Sequence, residues 1–418
     1  MGIMAKGMNG GEAQEVHAGF IPLADCAPLV IASELGFDRA EGFKLVLHRE
    51  VSWANIRDKL DVGSFDCAHM LAPMPIAAAL GLGRAAGSII APMALSLNGN
   101  AITVSLALYD EMLRADERAT LAGGMRAAKA VAAAVRARQE QGREPLTFGM
   151  VYPFSCHNYD LRYWLAAAGV DPDNDVNLIV VPPPLIADAL KAGRVDGFCV
   201  GQPWNTVAVT EGKGVIVATK SELWTLSPEK VLGVREAWAD RNPALVAGLI
   251  RALVAACRWL DEADNRREAA RILAQPGYVG LAEEVIARPL TGTLICGGRQ
   301  ADVVDPDLVV FHRGFANFPW RSHALWLMTQ MIRWGQVREP FDLKALAEQV
   351  FRTDLYRGAV AAMGVAVPAV DSKREGADAG SVFFGGEMFD PGAALVYLDR
   401  LVIRNAGTDL NAFSALNP

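Results

Sequence analysis

Polar residues with useful chemistry stand where apolar runs of this chain end. Trp53 follows Ser52 at the head of an amphipathic segment; its indole N–H is a donor without acceptor character, although a large ring there equally serves as core or rim packing. Asn98 and Asn100 flank Gly99, which makes a tight turn and can also present an amide donor. His157 opens a segment after YPFSC, where a histidine can cap a helix, sit neutral in the core or donate to a bound anion. In GFCVGQPWN, Gly201 leaves backbone N–H groups open to close approach, and the same run reads as an ordinary turn. Lys230, in SPEKVLG, is either a solvated lysine or the balancing charge of an anion cradle.

Bond-breaking chemistry finds no template. GxSxG, HExxH, a P-loop and a strand-linked GxGxxG are all missing, and His312 and His323 are too far apart for a standard zinc pair. Cys156 and His157 are neighbours, but on an extended segment their side chains point to opposite faces and no third residue orients them. The expectation is a binding protein, not an enzyme, with no catalytic residue, metal or cofactor.

The elements that must position these groups alternate. Strands at 17–23, 44–48 and 65–70 are separated by helices at 27–35 and 53–60, the first closed by Gly36 and the second entered through Ser52. A helix at 71–80 and extended segments at 88–96 and 101–105 follow. Exposed helices are expected over 109–140, and then the alternation restarts, with strands at 147–151, 177–181 and 197–200 and helices at 158–168 and 184–192. Two βαβαβ blocks predict an α/β fold of two lobes, each a mainly parallel sheet flanked by helices, with ligand in the cleft at the strands' carboxyl ends. The boundaries expected are a leader over 1–15, lobe I from 16–104 and 236–365, lobe II from 105–235, and a C-terminal wrap on lobe I over 366–418. A helical region at 243–273 packs back onto lobe I, and 371–386 reads as a loop.

Composition agrees. At 418 residues, 52% hydrophobic and 21% charged, the chain can fill two cores. A net charge of −7 argues against direct nucleic-acid binding. Six cysteines without a CxxC pair fit reduced thiols, the N-terminus carries no secretory apolar run, and the most apolar stretch, near 243–260, is broken by Arg251, Arg258 and Asp261. A soluble cytoplasmic protein without a membrane partner is expected.

The words GFIPLADCAPLVIASELGF, SWANIRDKL, LNGNAITVS, VVPPPLIADALKAGRVDGFCVGQPWN and SPEKVLG, in this order from about residue 17 onward, closely resemble the nitrate-binding proteins of ABC-type nitrate uptake systems. That family has the type II periplasmic-binding-protein fold. The resemblance implies that Trp53, Asn100, His157, Gly201 and Lys230 line a nitrate or nitrite site, with Pro183 and Val200 as apolar wall. Asn100 departs from the transporter proteins, which carry glutamine there. Bicarbonate binders place a carboxylate where this chain has Val231, which favours nitrate.

The absent export signal makes the chain look most like cytoplasmic sensors of the NasS type. In that group the anion-free sensor holds a response-regulator-type, RNA-binding antiterminator (NasT-like) and releases it on binding anion, which controls nitrate assimilation genes. The alternative is the substrate-binding component of an ABC-type nitrate, bicarbonate or sulfonate transporter. Nitrate is flat, singly charged and weakly basic, so the expected site offers in-plane N–H donors and one cation, without a carboxylate.

Overall fold

The computed structural model describes residues 13–84 and 87–417. Strands β1 (Gln14–Phe20), β2 (Phe43–Arg49), β3 (Cys67–Leu71) and β4 (Ile89–Asn98) come first, linked by helices Ala27–Glu34, Trp53–Asp61 and Pro73–Ala79. The local signals act as their chemistry dictates: Gly36 takes a φ of 77° just past the first long helix, and the Ser52 hydroxyl accepts the Asn55 N–H at 3.2 Å to start the second. The leader expected over residues 1–15 lies outside the described residues up to 12, and positions 14 and 15 already belong to β1.

β5 (Asn100–Ser105), β6 (Thr147–Met150), β7 (Asn177–Val180), β8 (Gly197–Gly201) and β9 (Gly214–Thr219) form a second sheet, in the order β7-β6-β8-β5-β9. β10 (Pro228–Arg235) returns to the first, whose order is Val309–Val310, β4, β10, β3, β1, β2. Both sheets are mixed where mainly parallel ones were expected. β1 with β2 and β3, and β6 with β7 and β8, are parallel. The strands that carry the chain between lobes, β5 and β10, run antiparallel to their neighbours. The boundary of the lobes moves accordingly. The chain crosses at Gly99 and again between Thr219 and Pro228, so 100–105 belongs to the second lobe and 228–235 to the first; alternation marks strands but not the sheet each one joins.

The two crossings are tied together. Asn98, at a φ of 61°, accepts the Ser227 N–H through its side chain at 2.9 Å and donates its amide to the Asp307 carbonyl at 2.7 Å. Gly99 fits its φ of 94° because it has no Cβ. The Gln202 N–H donates to the Gly99 carbonyl, and the Ala24 N–H to the Gln202 carbonyl, each at 2.8 Å. Loops of both lobes are thereby drawn to one point.

Three other expectations change. Helix Gly124–Glu140 buries Ala127, Val131 and Val135, so it is not an exposed helix. The region at 243–273 divides into helices Pro243–Asp261 and Asn265–Leu273. The first is long and apolar enough to cross a membrane by composition alone, yet it packs on helix Ala27–Glu34 and ties Arg251 to Glu41.

The C-terminal segment spans both lobes, where a wrap on lobe I was expected. Helices Arg321–Arg333 and Leu343–Val350 pack on Pro73–Ala79 of the first lobe. Phe384 stacks on Tyr163 of the second at 4.0 Å, and the Tyr159 hydroxyl donates to Gln336 at 2.7 Å. Trp224, on the second crossing, sits edge-on to Trp326 at 4.8 Å and Phe383 at 4.9 Å. Trp224→Ala should therefore destabilise the protein by about 3–5 kcal/mol, read from the midpoint of denaturant unfolding; a change below about 1 kcal/mol would show that this aromatic cluster does not brace the crossing.

Candidate functional site

The two crossings deliver their polar residues to one buried cluster. Lys230, on β10, is fully buried; its ammonium donates to Asp25 Oδ2 and to Glu229 Oε1, both at 2.7 Å. Lys220, at the head of helix Lys220–Leu223, donates to Glu229 Oε2 and the Pro228 carbonyl at 2.9 Å and lies 2.8 Å from Asp160 Oδ2. Asn100 donates its amide to Glu229 Oε2 at 2.6 Å and to Asp160 Oδ2 at 3.3 Å. His157 Nε2 is 3.5 Å from Glu229 Oε1. The Trp53 ring faces the Lys230 ammonium at 5.6 Å.

Glu229 and Lys230 reach the same cluster because β10 is bulged. Neighbours on a regular strand point to opposite faces. Here Pro228 pairs with Leu97 and Lys230 with Ser96, which leaves Glu229 as the extra residue and turns both side chains inward.

Electrostatics follow from burial and pairing. Burial opposes the charged form of Glu229, but Lys220 and Lys230 overcome it and hold the carboxyl well below its usual range. Asp25 is likewise lowered, with Lys230 and His69 outweighing burial. Both lysines are raised because their carboxylates outweigh burial. Asp160 goes the other way: burial pushes it up to about 6 against the pull of Lys220, with Glu229 adding to the rise. Burial lowers His157 to about 3 despite Glu229, so its ring is neutral.

Several buried polar atoms have no hydrogen-bond partner: Trp53 Nε1, both ring nitrogens of His157, Gln202 Nε2, Asn100 Oδ1 and Asp160 Oδ1. Native structures rarely leave such groups unpaired, and donors from both lobes are among them. His69 Nε2 lies 3.0 Å from Asp25 Oδ1 without hydrogen-bond geometry.

Of the residues singled out in the sequence, Trp53, Asn100, His157 and Lys230 converge. Gly201 pairs with Asn100 across β8 and β5, and a Cβ there would stand 3.5 Å from Asn100 Oδ1 and 3.6 Å from Asp25 Oδ2. Pro183, in the turn after β7, and Val200, on β8, are buried and bring no side-chain polar atom. Lys230 is not a solvated lysine. Asn100 spends both amide hydrogens on carboxylates and keeps none for an anion. Cys156 is no nucleophile: its thiol is buried and pushed well up, and it and His157 start a helix instead of lying extended.

The expectation of one cation without a carboxylate is overturned. Two lysines face three carboxylates, Asp25, Asp160 and Glu229. Sequence reasoning missed these three along with Lys220, His69 and Gln202. Two of the carboxylates were within reach, since Glu229 adjoins Lys230 and Asp160 follows His157 by three positions, the spacing of one helix face. Asp25 and Lys220 carried no local signal.

Two mixed α/β lobes joined by two crossing strands, with a buried polar cluster between them, define a two-lobed binding protein of the periplasmic type II architecture. The chain belongs to the NMT1-like family, whose model matches residues 9–274. It is 37% identical over 409 residues to the nitrate/nitrite binding protein NrtA of Synechococcus elongatus, covering 95% of this chain and 88% of that one. It is 38% identical over 403 residues to the nitrate import ATP-binding protein NrtC of Synechocystis, covering 96% of this chain. The chain spans only 57% of the length of that relative. The crystal structure of the periplasmic nitrate-binding protein NrtA from Synechocystis superposes with a TM-score of 0.85 at 32% identity, over 94% of this chain and 99% of that one. These relatives are named as binding and import proteins. The cytoplasmic address expected from the sequence is overturned by this likeness to a periplasmic protein.

The opposite shifts of His157 and Asp160 give a signed prediction. His157 ordinarily titrates near 6.5 and is lowered, so its contribution to stability is full above pH 6.5 and is lost on acidification. Asp160 ordinarily titrates near 3.8 and is raised, so its contribution is full below pH 3.8 and is lost as pH rises through about 6. On moving from pH 6.5 to 5, His157→Gln should gain stability relative to wild type and Asp160→Asn should lose it, each by about 1–2 kcal/mol in denaturant unfolding. The reverse order would contradict the protonation states assigned here.

Proposed function

We propose that this chain binds nitrate or nitrite between its lobes and serves as the substrate-binding component of an ABC-type import system. The observation that carries the reading is the convergence of unpartnered N–H donors, Trp53 from the first lobe and His157 from the second, on the buried Lys230. A flat, weakly basic anion needs few but well-aimed donors and one accessible cation. Lys230 has two acceptors for three N–H bonds and so keeps one to give. Lys220, with three acceptors, has none to spare.

Trp53, His157 and Lys230 contact the anion in this reading. Asn100 acts through the carboxylates it holds, Gly201 keeps room beside it, and Pro183 and Val200 form the apolar wall. The names of the similar proteins, nitrate/nitrite binding and nitrate import, support both the ligand and the import role. The sensor role with an antiterminator partner finds no counterpart among them, and import replaces it.

Calorimetric titration with nitrate, nitrite, bicarbonate and sulfate tests the proposal. Wild type should bind nitrate or nitrite in preference to the other two. Trp53→Phe keeps the ring and deletes the donor, so it should bind about 10–150-fold more weakly, the worth of one hydrogen bond to a charged group. Preference for sulfate, or unchanged affinity in the variant, would contradict it.

A further inference from the structure

The charge count of the cluster constrains what an anion must bring with it. When every carboxylate is ionised, Lys220 and Lys230 leave one negative charge uncompensated among Asp25, Asp160 and Glu229. Each side chain is at least nine-tenths buried, so solvent screens little of the excess. An anion entering this cleft would double it. Nothing in the arrangement frees a lysine from its carboxylates, and among the described residues no group of His, Cys, Asp and Glu is arranged to hold a compensating metal ion.

We infer that each anion enters with one proton and that Asp160 is the residue that takes it. This inference rests on the proposed anion site. Asp160 Oδ1 is buried without a partner, while Oδ2 is held by Lys220 and the Asn100 amide. Protonation at Oδ1 turns an unpartnered acceptor into a donor that can serve the anion. Every charged group around Asp160 bears on the choice. Lys220 opposes protonation, and Glu229 on β10 favours it. His157, one turn earlier on the same helix, is neutral, and the nearby Cys156 and Cys199 are held as thiols by burial. Asp160 releases its proton near neutrality, whereas His157 resists one until far lower pH, and Asp25 and Glu229 are held ionised by their lysines. Among these four groups Asp160 therefore takes a proton most readily.

Linkage makes the idea measurable: if binding takes up a proton, affinity falls as pH rises, by up to tenfold per pH unit. Nitrate is titrated into wild type by calorimetry at pH 7 in two buffers of different ionisation enthalpy, and then across pH 6–8. The expected result is buffer-dependent heat equivalent to about one proton per nitrate, with affinity about tenfold weaker between pH 6.5 and 7.5. Asp160→Asn, which keeps the shape and removes the charge, should still bind nitrate with no proton uptake and a flat pH profile. Buffer-independent heats in wild type would overturn the inference while leaving nitrate binding intact. Uptake that persists in Asp160→Asn would overturn the assignment to Asp160. Failure to bind nitrate or nitrite at any pH would instead overturn the reading of the site itself.

Discussion

Burying a lysine ammonium costs several kcal/mol unless carboxylates and hydrogen bonds replace its water, and this protein buries two of them side by side. Glu229 makes that possible by bridging Lys220 and Lys230 through its two oxygens. Asp25 and Asp160 complete the array from opposite lobes. Each lysine is paired with two carboxylates, one of them Glu229 in both cases, so the array fixes how the crossing strands sit and, through Asn100, how close the lobes come. The bulge that turns Glu229 and Lys230 to the same side of β10 is therefore the backbone feature on which the site depends.

That array also limits what the proposed site would accept. Anion-binding clefts built on an excess of positive charge attract any anion, including divalent ones. Here the lysines are largely neutralised by the protein itself, and what is left is one N–H of Lys230 and the neutral donors of Trp53 and His157. Such a site suits a singly charged, weakly hydrated oxyanion. Its donors come from both lobes, so an anion bound as proposed would stabilise only the closed arrangement, and closure would report occupancy. A two-lobed protein with this property can deliver cargo to a partner that distinguishes closed from open.

Much of the framework was legible in the sequence. The alternation of short apolar runs with capped helices placed β1 to β3 and β6 to β8 within a few residues, because Ser52 and Gly36 act locally. Trp53, His157, Gly201 and Lys230 stood at element ends, and the structure brings them together. What sequence could not show was set by long-range geometry. A bulge at Glu229 breaks the period-two rule, and Asp25 and Lys220 meet Lys230 and Asp160 only because two crossings converge. The sheet each crossing strand joins, and the C-terminal segment's reach to Tyr163 and Trp224, are likewise tertiary facts without a local signature.

The most direct test of this account is a crystal structure of the protein grown in nitrate. It predicts planar, trigonal density between the lobes, within hydrogen-bond distance of Trp53 Nε1, a ring nitrogen of His157 and the Lys230 ammonium, with Glu229 still bridging the two lysines. Density for the anion outside this cluster, or a cleft that closes with Lys230 and Glu229 separated, would contradict it.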